Sequence, residues 1–153
     1  MDYEIELKDL QLQHLAVVRF HASEAEMAQQ MGAAFGAVIE YLTRNGLQPQ
    51  GPAVAVYTEP FGTVFDVAAG FVVAAPITGD GHVVPDELPA GEAAVTMHVG
   101  PYEGLSDAYQ AVQAWIEREA REPAGKTWEE YLDGPETPPE QTRTVLYRPL
   151  KPR

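Results

Sequence analysis

The sequence contains no cysteine, which excludes disulfides, thiolate nucleophiles and cysteine-ligated metal sites. It also lacks any apolar run close to the ~18–20 residues that a membrane-spanning helix requires. The first residues, Met1 to Glu6, have neither the basic region nor the apolar region of a secretory signal. The sequence therefore predicts a cytoplasmic protein with no membrane partner.

Basic residues are scarce, since 10 Lys and Arg stand against 23 Asp and Glu, for a formal net charge of −13. Such a surface repels a phosphate backbone, and no cluster of Lys or Arg offers a local exception. The composition argues against a direct nucleic-acid partner. Cationic ligands would be attracted by this charge, although the surface of an acidic, soluble protein explains the net charge more simply.

The remaining composition is that of a globular protein. Hydrophobic residues make up 45% of the 153 residues and charged residues 22%. A chain of this length can bury a core of its own. We therefore expect a single domain over residues 1–153, and the composition leaves its oligomeric state open.

The first half of the chain predicts a strand, a helix and two more strands. Ser23 followed by Glu26 is a capping box, in which the two side chains satisfy free amides at a helix start. Apolar residues then recur at helical spacing over residues 24–44, and Asn45-Gly46 ends the helix because both residues tolerate the left-handed conformation. The three predicted strands cover residues 15–20, 53–57 and 63–75.

Three segments of this half show weaker patterns. Residues 5–13 alternate only loosely between apolar and polar side chains. Glu59-Pro60-Phe61-Gly62 predicts a turn between the second and third strands. Residues 76–92 are rich in Gly, Pro and acidic residues, which predicts a crossover linker with little structure of its own.

The same order of elements returns in the second half. The predicted strands cover residues 93–99, 127–132 and 143–150, and the predicted helix covers residues 105–121. The chain is therefore two βαββ repeats, at about 5–75 and 93–150. We predict an α+β fold in which the pseudo-symmetric repeats form a mostly antiparallel sheet with two helices on one face. A ligand cleft is expected at the repeat interface, between the helices.

Four segments resemble one protein family. The first, His98-Val99-Gly100-Pro101-Tyr102-Glu103-Gly104-Leu105 with Ala108-Tyr109 and Trp115-Ile116 after it, resembles the H-x-G-P-Y-x-x-L…A-Y…W-I signature of GyrI-like domains. These are the effector-binding domains of AraC- and MerR-type regulators. The segments W-E-E-Y-L-D-G-P, R-T-V-L-Y-R-P-L and F-D-V-A-A-G-F resemble that family's E-x-Y-L-x-x-P turn, its closing strand and its D-V-E-x-G-F strand, and they cover residues 128–135, 143–150 and 65–71.

The resemblance implies a pocket at the repeat interface, walled by aromatic rings and holding a buried carboxylate that attracts cationic, lipophilic molecules. Many members carry a fused helix-turn-helix, for which this sequence has no room before its first predicted strand, so we expect a stand-alone member. Such members are similar to multidrug-type receptors and drug-sequestering proteins, with a link to transcription regulation. Others are hydrolases that open reactive cyclopropanes. No cofactor is implied.

Glu129 matches the family carboxylate, and on a strand it shares a face with Tyr131. An acid beside a phenol could pair with a cation or, in a hydrolase, steer a water molecule. A solvated strand glutamate is the alternative. The candidate aromatic walls, each of which could instead be core packing, are Tyr57, Phe71, Tyr102, Tyr109, Trp115 and Tyr147. Tyr102 is preferred among them, whereas Tyr109 and Trp115 cannot face the same way on one helix.

Two positions depart from the family pattern, because Ala68 and Val145 stand where members often carry a strand glutamate. Their loss argues against catalysis and strong cation selectivity, and it leaves Glu129 as the single candidate carboxylate. The four histidines lack the spacing of metal ligands, so no metal site is predicted. His98 is expected to hold the turn that follows it rather than to perform chemistry.

Overall fold

A computed structural model of the chain describes residues 3–58, 64–134 and 136–152. In chain order its strands are β1 (Glu6–Leu10), β2 (Gln13–Ser23), β3 (Ala53–Tyr57), β4 (Val64–Val73), β5 (Val84–Leu88), β6 (Gly91–Val99), β7 (Thr127–Tyr131) and β8 (Arg143–Pro149). The two helices are α1 (Met27–Arg44) and α2 (Leu105–Arg118). The predicted turn at residues 59–62 and Pro135 lie outside the described residues.

The chain divides into two compact units. The first unit is Leu12–Pro89, and the second unit joins the residues up to Gln11 to those from Ala90 onward. Each unit contains one helix and four strands, and the strand pairs of both are antiparallel. Within the units, β2-α1-β3-β4 and β6-α2-β7-β8 each follow the βαββ order, and β5 and β1 are additional strands. The α+β class and the two βαββ repeats are therefore confirmed. The cleft between the repeats stays a prediction.

The first unit has the strand order β3-β4-β2-β5, and α1 packs against β2 and β4. The predicted capping box precedes α1, since the Ser23 amide and hydroxyl donate to Glu26 Oε1 at 3.0 and 2.9 Å. The helix buries Val38 and Leu42 on its apolar stripe, and Gly46 follows its end with a φ of 68°. The local rules for starting and ending a helix thus decide where α1 lies.

The second unit has the strand order β1-β6-β8-β7, and α2 packs against β6 and β8. Its core joins the apolar stripe of α2 to the facing side of the sheet. The buried residues of this cluster are Ala94, Ala108, Val112, Ile116, Leu146 and Leu150. Leu146 and Leu150 of the last strand segment therefore mark the sheet face that α2 covers.

The predicted absence of structure over residues 76–92 is wrong, because β5 lies there and pairs with β2. The loosely alternating residues 5–13 contain β1, which pairs with β6. Both strands stand at the end of their unit's strand order. Most side chains of β1 are exposed, so it carries no clear apolar alternation, whereas β5 combines exposed and half-buried residues with one buried leucine, Leu88. Pro85 further masks β5, since proline is tolerated only where no ladder hydrogen bond is needed.

No helix within residues 3–58, 64–134 and 136–152 has the length and apolar character to cross a membrane.

Gly70 on β4 is required by the close approach of β2. A Cβ atom at this position would lie 1.9 Å from the Ala16 carbonyl oxygen and 2.9 Å from Val17 Cα. Since both are backbone atoms, no side-chain rotation relieves the clash. We expect Gly70→Ala to lower the free energy of unfolding by about 3 kcal/mol or more, as measured by urea denaturation.

Gly32→Ala is the matched control. Gly32 lies inside α1, and a Cβ atom there meets nothing within 4 Å. Alanine should raise the free energy of unfolding by about 0.5–1 kcal/mol because glycine is the weaker helix former. Similar effects of the two substitutions would contradict the close approach of β2 to Gly70.

Candidate functional site

Glu129 lies in the middle of β7 and is only 5% exposed, so the alternative of a solvated strand glutamate does not hold. The pairing of β7 with β8 places it opposite Leu146, while Tyr131 stands opposite Thr144. Residues opposite each other in an antiparallel pair share a face. Leu146 belongs to the core cluster under α2. Glu129 and Tyr131 therefore face the helix.

The Glu129 carboxylate accepts a phenolic hydrogen bond on each of its oxygens. The Tyr109 hydroxyl, from α2, donates to Oε2. The Tyr131 hydroxyl, from the same strand, donates to Oε1 at 2.7 Å. A buried carboxylate needs such donors because it has lost its hydration. The helix and the strand together hold the acid in place, and this arrangement of Glu129, Tyr109 and Tyr131 is called here the Glu129 site.

Tyr102 forms an exposed rim beside this site. It begins a 3₁₀ turn, Tyr102–Gly104, that leads directly into α2. Its ring meets the Tyr131 ring edge to face, with the ring centres 6.0 Å apart, and 52% of the residue is exposed. Burial raises the pKa of the Tyr102 phenol above its usual value, and the charges of Glu129 and Asp133 raise it further.

His98 holds the turn that presents Tyr102. Its Nε2 lies 2.9 Å from the Pro101 carbonyl oxygen, and its Nδ1 lies 2.8 Å from the Tyr3 hydroxyl. Because a carbonyl oxygen can only accept, the neutral ring donates from Nε2 and accepts the Tyr3 proton at Nδ1. His98 is 4% exposed. These contacts confirm the expected structural role, and Tyr3 is a partner for which the sequence offered no signal.

Two glycines allow the turn to pack around this ring, one through its backbone conformation and one through its small size. Gly100 has a φ of 136°, which side-chain-bearing residues rarely adopt. A Cβ atom at Gly104 would lie 3.0 Å from His98 Cε1. The spacing of histidine, glycine, proline and glycine in this segment therefore follows from packing a turn around a buried imidazole.

Tyr147 was predicted to line the same site, but it lies on the other face of the sheet. It pairs with Trp128, the neighbour of Glu129, and stacks on the Trp128 ring with the ring centres 5.2 Å apart. Its hydroxyl donates to Glu130 at 3.2 Å. Burial, followed by the charge and hydrogen bond of Glu130, raises the pKa of Tyr147 to about 12. Alternation along β8 therefore removes Tyr147 from the Glu129 site.

The structure also shows what surrounds the other predicted positions. Trp115, on α2, packs against the core cluster of the second unit. Val145 pairs with Glu130, which places it on the Tyr147 face. In the first unit, the Phe71 ring meets Phe35 of α1 edge to face, with the ring centres 5.8 Å apart.

Tyr57 is half-buried on β3, and Ala68 is buried on β4. The part of Tyr57 and Phe71 in ligand binding stays a prediction. In the described ranges, no group of three or more His, Asp or Glu side chains is arranged to hold a metal ion.

Removing a phenolic hydrogen-bond donor should lower the free energy of unfolding most where the acceptor is buried. We expect Tyr109→Phe to lower the free energy of unfolding by about 2 kcal/mol, because a buried carboxylate oxygen loses its hydrogen bond. Tyr147→Phe makes the same chemical change opposite the half-buried Glu130 and should cost under ~1 kcal/mol. Urea denaturation of both variants measures the difference. Equal losses would show that the Glu129 carboxylate does not depend on its phenolic donors.

Comparison with solved structures finds the same fold in several proteins. The C-terminal domain of EcmrR superposes with a TM-score of 0.86 at 19% identity, over 99% of both chains. A hydrolase from Listeria innocua superposes with a TM-score of 0.67 at 16% identity, over 97% of this chain and 92% of that one. SAV2435 bound to tetraphenylphosphonium superposes with a TM-score of 0.62 at 16% identity, over 99% and 94%. Identities this low establish the fold alone.

No curated protein sequence is significantly similar to this chain. The family assignment rests instead on a match over residues 3–151, which spans both repeats. It agrees with the βαββ order found in each unit. The chain belongs to the GyrI-like small molecule binding domain family.

Proposed function

We propose that this protein binds lipophilic, cationic small molecules at the Glu129 site and acts as a multidrug-type receptor or sequestering protein. The observation that carries the proposal is a buried carboxylate with a phenolic hydroxyl on each oxygen. Membership of a small-molecule-binding family supports the class of ligand. The chemistry of the site supports the positive charge and the apolar character of that ligand.

The two phenolic partners of Glu129 orient its carboxylate. Tyr109 and Tyr131 are uncharged donors, and hydrogen bonds donated to a carboxylate favour its charged form. A charge kept away from water attracts a counter-charge more strongly than one in solvent.

Aromatic rings around the acid favour a ligand that is both apolar and cationic. The Tyr131 and Tyr102 rings lie together at the rim of the site. Ring faces attract cations and give broad apolar contact with little demand for one ligand shape. The net charge of −13 would also concentrate cations near the protein. The tetraphenylphosphonium in the SAV2435 structure makes this ion a suitable first probe.

A hydrolase of reactive cyclopropanes is the second candidate. The 2.7 Å contact between the Tyr131 hydroxyl and Glu129 supports it, because an acid and a phenol could together steer a water molecule. The Listeria innocua hydrolase shares the fold. Binding is favoured, since both Glu129 oxygens already accept a phenolic proton. A general base would have to give up one of these bonds to take a proton from water.

The substitution Glu129→Gln tests whether ligand binding depends on the negative charge at residue 129, because glutamine has nearly the same shape and no charge. We expect it to weaken the binding of tetraphenylphosphonium about tenfold or more, because the attraction between the carboxylate and the phosphonium charge is lost. Binding of the uncharged triphenylphosphine oxide should change little. Isothermal titration calorimetry of both probes gives the two dissociation constants.

Glu130→Gln is the matched control, because it removes the same charge one residue away on the opposite face of β7. It should leave both dissociation constants nearly unchanged. Equal effects of the two substitutions would mean that only the net charge attracts the cation, and the site assignment would be wrong.

The hydrolase hypothesis differs from simple binding in that it requires a reaction product. Incubation with a cyclopropane-bearing alkylating agent, followed by mass spectrometry, should return the agent unchanged if the protein only binds. Ring-opened product that disappears in Glu129→Gln, with binding retained, would instead establish catalysis.

A further inference from the structure

Thr144 on β8 carries a buried hydroxyl without a partner. The residue is 0% exposed, and its Oγ1 is the one buried side-chain oxygen or nitrogen, within the described residues, that makes no hydrogen bond. An unsatisfied buried hydroxyl costs free energy, whereas valine would fill the same space without that cost. The threonine is therefore better explained by what its hydroxyl binds than by packing.

The hydroxyl lies beside the Glu129 site. Thr144 stands directly opposite Tyr131 on β7 and directly opposite His98 on β6. Directly opposed side chains in antiparallel strands have Cβ atoms about 4.5–5.5 Å apart. Two residues along β8, Leu146 stands opposite Glu129. Thr144 thus lies on the same face of the sheet as Glu129 and is the cross-strand neighbour of Tyr131.

The polar atoms of the two flanking side chains are directed to other groups. The nitrogens of His98 contact Tyr3 and the Pro101 carbonyl. The Tyr131 hydroxyl donates its proton to Glu129. Thr144 therefore offers a donor and an acceptor that this part of the fold does not use.

We propose that the Thr144 hydroxyl is a second polar anchor of the Glu129 site and binds an uncharged hydroxyl or carbonyl group of the ligand. This inference rests on the proposed function and narrows its ligand class. The ligand is a lipophilic cation that also carries a neutral hydrogen-bonding group. The carboxylate selects the charge, and Thr144 selects the position of the neutral polar atom.

Tyr102 covers Tyr131, the cross-strand neighbour of Thr144, so we expect a ligand to reach Thr144 past Tyr102. The Tyr102 ring is half-exposed and covers Tyr131 through an edge-to-face contact. Such a contact is replaced without loss when a ligand ring takes the place of Tyr102. We expect a bound ligand to displace the Tyr102 ring and to reach the neighbouring pair Tyr131 and Thr144.

The test uses tetraphenylphosphonium and its analogues with one 3-hydroxyphenyl or 4-hydroxyphenyl ring. Calorimetry should show that the unsubstituted protein binds at least one hydroxylated probe about tenfold more tightly than tetraphenylphosphonium. Thr144→Val should remove this advantage, so that the variant binds all three probes with similar dissociation constants. Thr144→Ser keeps the hydroxyl and should retain the preference.

Stability of the free protein gives an independent measurement. Thr144→Val should unfold at a urea concentration equal to or higher than that of the unsubstituted protein, because no internal hydrogen bond is lost. A lower midpoint would show that the hydroxyl has a partner within the fold, and the inference would be overturned.

The remaining outcomes separate this inference from the proposed function. If tetraphenylphosphonium binds and responds to Glu129→Gln, but the hydroxylated probes bind no better or lose nothing in Thr144→Val, only the role of Thr144 is wrong. If none of the three probes binds, the proposed function fails and this inference fails with it.

Discussion

The contact between α2 and β7 through Glu129 is the interaction on which the site depends. A carboxylate 5% exposed must be satisfied within the fold, and phenols from a helix and a strand satisfy it. Because Tyr109 comes from α2, the position of the acid is tied to the packing of that helix. The packing of α2 on the core cluster of the second unit therefore also determines where the Tyr109 hydroxyl meets the carboxylate.

A second constraint lies at the start of the same helix. The buried His98 ring ties the Pro101 carbonyl to Tyr3, and glycines leave room for the ring. Tyr102 follows Pro101 immediately, so this turn places its backbone, while about half of the residue is exposed. The Glu129 site thus combines an acid held by two hydrogen bonds with a half-exposed rim residue, Tyr102, whose ring contacts the Tyr131 ring.

The parts of the fold that the sequence predicted are those governed by local rules. The capping box of α1, the glycine after it and the apolar stripes of both helices depend on residues close in sequence. The strands β1 and β5 lack a clear sequence signal, because the side chains of β1 are mostly exposed and β5 contains a proline and two acidic residues. Their position depends on partners distant in sequence, which no local pattern encodes.

For the site, the sequence by itself determined that Glu129 and Tyr131 share a strand face and that Tyr102 begins the turn before α2. Only the tertiary structure decided which aromatic residues meet the acid, since the pairing of β7 with β8 turns Tyr147 away while the packing of α2 brings Tyr109 in. It also decided that Thr144 is buried beside Tyr131. Alternation along one strand sorts side chains into two faces, but the partner strands and the helix decide what each face meets.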